Sequence, residues 1–181
     1  MSYFKFSIKQ LVATAIGAAI FFLLARFLSF PVFANTYLTL QYAVVGFFAV
    51  VFGPICGLLI GLIGHFFVDL SFGWGIWWSW VIASAFVGLL SGFLLKPGKV
   101  DGGDLGKVDI IRFIVGSLIV HAISWVVIAP VGDMLIYAEP ADKAFTQGVI
   151  AGAGNFVITA IVGTLLLLGY AKTRTKSGSL D

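Results

Sequence analysis

Cysteine and charge are the two things this chain has least of. Its single thiol, Cys56, excludes a disulfide framework. Only 10% of the 181 residues are Asp, Glu, Lys or Arg, whereas a soluble domain carries about 25%. Recognisable catalytic signatures are missing too. The chain has no GxxxxGK[ST] phosphate loop, no HExxH helix and no GxSxG elbow. ATP binding by a P-loop, zincin chemistry and a nucleophile elbow are therefore excluded for this chain. No paired carboxylates share one depth for acid–base work, and no compact ligand motif supports a metal, although two histidines and a nearby carboxylate are present.

What fills the chain instead is apolar. Sixty per cent of residues are hydrophobic and mean hydropathy is +1.09. One soluble core cannot hide that surface, and a disordered chain does not carry it. The remaining class is a multi-spanning membrane protein. The net charge of +3 is accounted for by membrane topology and does not point to nucleic acid.

Six apolar runs are legible: Ile8 to Leu28, Leu38 to Phe52, Ile55 to Phe72, Trp78 to Leu95, Ile110 to Ala129 and Phe145 to Tyr170. Each span needs about 20 residues, so six use up the chain as one domain, 1–181. Gly53-Pro54 reads as a tight turn between the second and third runs. The first run is longer than the roughly 7–15 residues of a signal-peptide core and is read as a helix. With the N-terminus inside, Lys5, Lys9, Lys96, Lys99, Lys107, Arg112, Lys172, Arg174 and Lys176 fall in the cytoplasm, and only Arg26 and Lys143 fall outside. The expected fold is therefore all-α: an integral membrane bundle of six transmembrane helices with both termini cytoplasmic. Lys96 to Asp109 reads as a flexible inner connector. Pro130 to Ala144 reads as the longest outer loop, carrying Asp133, Glu139 and Asp142. Ser29 to Tyr37 reads as an outer segment able to cap a site.

Asp69 is the one carboxylate expected inside a span, where a charge faces a partner or a wet cavity. At about 1.5 Å per residue, His65 lies roughly 16 Å and Asp69 roughly 22 Å above Pro54. His121 lies past the middle of the fifth span. Asn155 lies roughly 15 Å down from Phe145, and Gln41 sits just inside the outer end of the second span. Independent helices thus send polar groups to the outer half, which points to a pocket open to the exterior. Gly53, Gly57, Gly61, His65 and Asp69 form a ladder at spacing four on one face. Its small lower rungs permit close packing and its polar upper rungs suit a ligand, with an internal His65–Asp69 hydrogen bond as the plainer alternative. Trp74, Trp77, Trp78 and Trp80 crowd the same end. Such residues form interfacial belts or a stacking wall for a flat heterocycle. Trp74, Trp77 and Trp78 are taken as candidates for the wall, with Tyr37 in the cap. On the first helix, Ala15 and Ala19, and likewise Ala13 and Gly17, make small-xxx-small pairs. These serve packing within the bundle or docking onto another membrane subunit.

The opening FSIKQLVATAIGAAIFFLLARF and the stretch GFFAVVFGPICGLLIGLIGHFFVD, Gly46 to Asp69, resemble the substrate-binding S components of bacterial energy-coupling factor (ECF) vitamin transporters, in the branch called uncharacterised family 0397. The resemblance covers the whole chain. It implies capture of a small heterocyclic vitamin or precursor, hydroxymethylpyrimidine or pyridoxine, at the outer face under the loop between helices one and two. It also implies docking through Ala15 and Ala19 onto a transmembrane coupling (T) subunit, with two cytoplasmic ATPases using ATP, and toppling of the S component to carry its site inward. No cofactor is implied in this chain, and it is not expected to be an enzyme. The residues alone leave two other readings open: a stand-alone secondary transporter or channel, and an intramembrane enzyme built on His65, Asp69 and His121.

Overall fold

The computed structural model describes residues 3–4, 6–33 and 36–174. Lys5, Lys176 and Asp181, and part of the expected cap, lie outside the described residues. Helix α1 is Ile8–Phe27, capped by Ser7, whose backbone N–H donates to Gln10 Oε1 at 3.0 Å. The segment read as an outer loop is an antiparallel hairpin, β1 (Phe30–Phe33) and β2 (Thr36–Leu38), pairing Phe30 with Leu38 and Pro31 with Tyr37. An all-α reading omits it, because four residues that include a proline carry little strand pattern. Helix α2 (Gln41–Phe52) ends at Gly53, whose φ of +104° suits glycine. Pro54 then opens α3 (Pro54–Phe72), where its missing N–H costs nothing. Helix α4 is Trp78–Ser91.

The largest departure from the sequence reading follows α4. Helix α5 (Lys107–His121), a π-helical segment Ala122–Ile128 and α6 (Ala129–Tyr137) form one continuous rod. The expected outer loop from Pro130 is therefore mostly helix, and Asp133 lies within it. Proline lacks a donor and normally breaks a helix. Here it stands at the start of α6, just after the wider i→i+5 turns, which already disturb the regular ladder. A second rod runs through α7 (Ala141–Ile158), a π segment Thr159–Gly163 and α8 (Thr164–Lys172).

Four of these units are long and apolar enough to cross a membrane: α1, α3 and the two rods. Helices α2 and α4 are shorter apolar helices. Large apolar side chains face outward along the long units, among them Leu11, Ile16, Leu23, Ile111, Val115, Leu118, Val157 and Leu165. Lipid is the environment in which that surface is stable. Helix α3 lies at the centre, between α1 and α4. The ladder explains why. A Cβ at Gly57 would meet the Gly88 carbonyl, and one at Gly61 would meet the Ser84 carbonyl, so α3 and α4 touch backbone to backbone. Phe21, Val45, Ile60, Val87 and Trp125 fill the core between these helices.

The Lys96 to Asp109 connector is tied down rather than free. Asp101 accepts from Tyr170 at 2.9 Å and Arg174 at 3.2 Å and lies 3.6 Å from Lys9, joining the connector to the start of α1 and the end of α8. Lys99 bridges Asp104 at 3.1 Å and Asp109 at 3.4 Å. The Asp104 hydrogen bond holds the Lys99 ammonium above its ordinary pKa.

Candidate functional site

The two rods, α2, α3, α4 and the hairpin enclose a cavity of about 300 Å³ at the hairpin end of the bundle. This is the lower end of the roughly 300–1,000 Å³ of small-molecule sites. One wall is the C-terminal half of α3. His65 and Asp69, one turn apart, both line the cavity, with His65 Nε2 3.5 Å from Asp69 Oδ1. The internal pair and the cavity-lining role thus coexist. Asp69 Oδ2 accepts the Trp77 backbone N–H at 3.0 Å, which fixes the turn into α4. Behind His65, the Ser84 hydroxyl contacts its Nδ1 and lies 2.6 Å from the Tyr42 hydroxyl, so three helices share one polar cluster.

Tryptophan makes up another part of the lining. Trp125 and Trp80 lie with ring centroids 5.3 Å apart, and Tyr42 meets Trp125 edge-on at 5.0 Å. Each indole N–H has its own acceptor. Trp80 Nε1 donates to Asp133 Oδ2 at 2.8 Å, and Ser79 donates to Asp133 Oδ1. Trp125 Nε1 donates to His121 Nδ1 at 3.0 Å. His121 must then carry its proton on Nε2, which lies 3.0 Å from the Thr159 hydroxyl as its donor. The His121–Thr159 bond joins the two rods where their π segments begin. Single π turns are frequent at functional sites, and here the extra residue brings Trp125 to the cavity.

Amides line the cavity as well. Gln41 accepts from Thr39 at 2.9 Å. Asn155 is buried, and its Oδ1 has no hydrogen-bond partner among the described residues. At the rim, Lys143 reaches Glu139 at 2.6 Å. Tyr37 of the hairpin lies 6.2 Å from Phe72 and 6.4 Å from Trp74, and Phe72 stacks on Trp74 at 4.5 Å. These rings connect the hairpin to the end of α3.

Of the residues singled out from sequence, Gln41, His65, Asp69, Trp74, Trp77, Asn155 and Tyr37 line this cavity. Trp78 does not: it packs on Phe66 and is 46% exposed, because it points away from the face shared by Trp77 and Trp80. His121 does not reach the cavity either and acts through Trp125. Sequence reasoning missed Trp80, Trp125, Tyr42 and Asp133. Three-residue spacing from Trp77 was an available signal for Trp80; nothing in the sequence marks the π segment that turns Trp125 inward.

The small-residue face of α1 divides in two. Ala15 and Ala19 are exposed, whereas Ala13 and Gly17 are buried in the bundle. A Cβ at Gly17 would meet Ile60, so this pair packs internally and is not a docking surface. The two pairs lie about 200° apart in rotation, at about 100° per residue. Among the described residues there is no cluster of three or more metal-ligating side chains.

The arrangement matches known proteins. A UPF0397 protein of Streptococcus pneumoniae is 49% identical over 177 residues, 97% of each chain. The fold matches the crystal structure of FolT bound with folic acid, with a TM-score of 0.64 at 14% identity, covering 87% of this chain and 94% of that one. It also matches ThiT from Listeria monocytogenes, with a TM-score of 0.64 at 17% identity, covering 92% and 94%. The family model described as the ECF-type riboflavin transporter S component matches residues 5–172. With that match spanning nearly its whole length, the chain belongs to the ECF-type riboflavin transporter S-component family, as a multi-pass membrane transport subunit and not an enzyme.

Proposed function

We propose that the chain captures a small heterocyclic vitamin or precursor in the cavity beneath the hairpin, with hydroxymethylpyrimidine or pyridoxine favoured. The observation that carries this reading is a cavity of about 300 Å³ lined by Trp80 and Trp125 together with hydrogen-bonding groups on Asp69, His65, Gln41 and Asn155. A one-ring ligand fits a site at the small end of the size range. Stacking on Trp80 and Trp125 supplies affinity, and the polar groups supply orientation. The family model's description makes riboflavin the competing ligand.

In this reading the bundle has six spans, with α2 and α4 as the short ones, and both termini are cytoplasmic. The lysine and arginine bias supports that orientation and, with it, a cavity at the outer face. Tyr37 and the hairpin cover the bound ligand. Ala15 and Ala19, small and exposed on α1, dock onto a coupling subunit. Two partner ATPases use ATP to drive a cycle in which this subunit topples and delivers its ligand inward; the chain itself needs no cofactor.

The test is titration of the purified chain with pyridoxine, hydroxymethylpyrimidine, thiamine and riboflavin, following tryptophan emission. Saturable quenching by pyridoxine or hydroxymethylpyrimidine at nanomolar concentration supports the reading. Saturation by riboflavin alone replaces the ligand, and no response to any of the four removes the vitamin class.

A further inference from the structure

The cavity's hydrogen-bonding capacity is lopsided. Three carboxylates line it, Asp69, Asp133 and Glu139, against one ammonium, Lys143, and no arginine is present among the described lining residues. That ammonium is held by Glu139 at 2.6 Å. Several donors that an anion would use are occupied elsewhere. The Trp77 N–H is bound by Asp69, the Trp80 indole N–H and the Ser79 hydroxyl by Asp133, and the Trp125 indole N–H by His121. Three buried side-chain oxygens among the described residues lack a partner, Ser124 Oγ, Asn155 Oδ1 and Thr164 Oγ1, and of these only Asn155 belongs to a residue that lines the cavity. A buried acceptor is costly unless a donor meets it, and a cavity of fixed negative charge repels anions strongly where water is excluded.

We infer that this cavity selects a neutral or cationic ring that presents hydrogen-bond donors, one of them to Asn155, and rejects ligands bearing a phosphate or carboxylate. The inference rests on the function proposed above and narrows its substrate class. An exocyclic amine or a hydroxymethyl group on an aromatic ring satisfies it; the phosphate ester of the same ring does not. Asn155 then determines specificity by reading the donor, while the carboxylates exclude by charge.

The experiment compares each parent ring with its own phosphate ester on the intact chain: pyridoxine, hydroxymethylpyrimidine and riboflavin against their 5′-phosphates or equivalent monophosphates. The ester should bind at least about a hundredfold more weakly, since a phosphate within several ångströms of a carboxylate at intermediate dielectric is repelled on that scale. Asn155→Leu should weaken the parent ring by about tenfold or more, with a smaller effect on an analogue whose amine or hydroxyl is replaced by hydrogen. An ester that binds within a few-fold of its parent, or Asn155→Leu acting equally on both analogues, overturns the inference. A second measurement needs no vitamin. With each ion scaled to its quenching of free tryptophan, caesium should quench the emission more than iodide at matched ionic strength, and Asp69→Asn with Glu139→Gln should narrow that difference. If no ring binds but the contrast is present and narrows, the proposed vitamin function fails while the charge selection stands. If the contrast is absent, or is unchanged in the double variant, the charge selection fails.

Discussion

Asp133 is the residue whose removal tests the tryptophan wall most directly. It is buried at 2% exposure and accepts from Trp80 Nε1 at 2.8 Å and from Ser79. Asp133→Asn keeps the size but leaves one oxygen to serve two donors, and turns an amide donor toward the other. Loss of a hydrogen bond to a charged acceptor costs about 1.5–3 kcal/mol in soluble proteins. Between membrane helices the measured mean is about 0.6 kcal/mol. The expected loss is therefore about 0.5–3 kcal/mol, read by reversible unfolding in mixed micelles. Trp80→Phe removes the indole donor and retains an aromatic face. The double variant closes a cycle whose coupling should fall between about 0.5 and 3 kcal/mol. Ligand affinity should fall with Asp133→Asn as the indole loses its fixed orientation, and less with Trp80→Phe. Single effects that add within about 0.3 kcal/mol would refute the bond as the element that holds the wall.

Three further outcomes are expected. Gly88→Ala places a methyl group against the Gly57 carbonyl, forces α3 and α4 apart and should cost about 1–3 kcal/mol; thermal unfolding as high as that of the unaltered chain would show that the helices do not meet there. Ala15→Leu with Ala19→Leu should leave unfolding within about 0.5 kcal/mol, as for exposed sites, and abolish co-purification with the coupling subunit proposed above. Gly17→Leu should instead lower stability, because that position packs on Ile60; equal behaviour of the two faces would refute their division.

The helical architecture was legible because its cause is simple. Apolar runs of span length, punctuated by Gly53-Pro54 and by the charged Lys96 to Asp109 connector, have few alternatives in a chain so poor in charge. The hairpin was not legible as strand, since Phe30–Phe33 is short, exposed and contains Pro31. The connector's composition signalled flexibility, and composition does not report that Asp101 meets Tyr170, Arg174 and Lys9 across the end of the bundle. The continuous rod through Pro130 was hidden because proline is a break in every local rule, and the π segment that precedes it has no signature of its own.

The site shows the same limit in a sharper form. Depth along a helix depends on counting residues and is robust, so His65, Asp69, Gln41 and Asn155 were brought to one end from sequence alone. Azimuth is fragile. One inserted residue rotates everything beyond it by about 100°, and both rods carry such insertions, at Ala122–Ile128 and Thr159–Gly163. His121, just before the first of these, was placed at the right depth but facing the cavity, whereas it stands behind Trp125 and holds it. Asp133 was placed in water, whereas it stands behind Trp80 and holds that ring in the same way. The two errors differ in origin, a break expected at Pro130 for Asp133 and an unread helix rotation for His121, but they expose one design: each indole of the wall is gripped from behind by a buried polar residue, and each grip is on the rod that contains the first π segment. A ligand that stacks on this wall is thus read by rings whose orientation is fixed before it arrives, which is the condition under which stacking contributes affinity without an ordering cost.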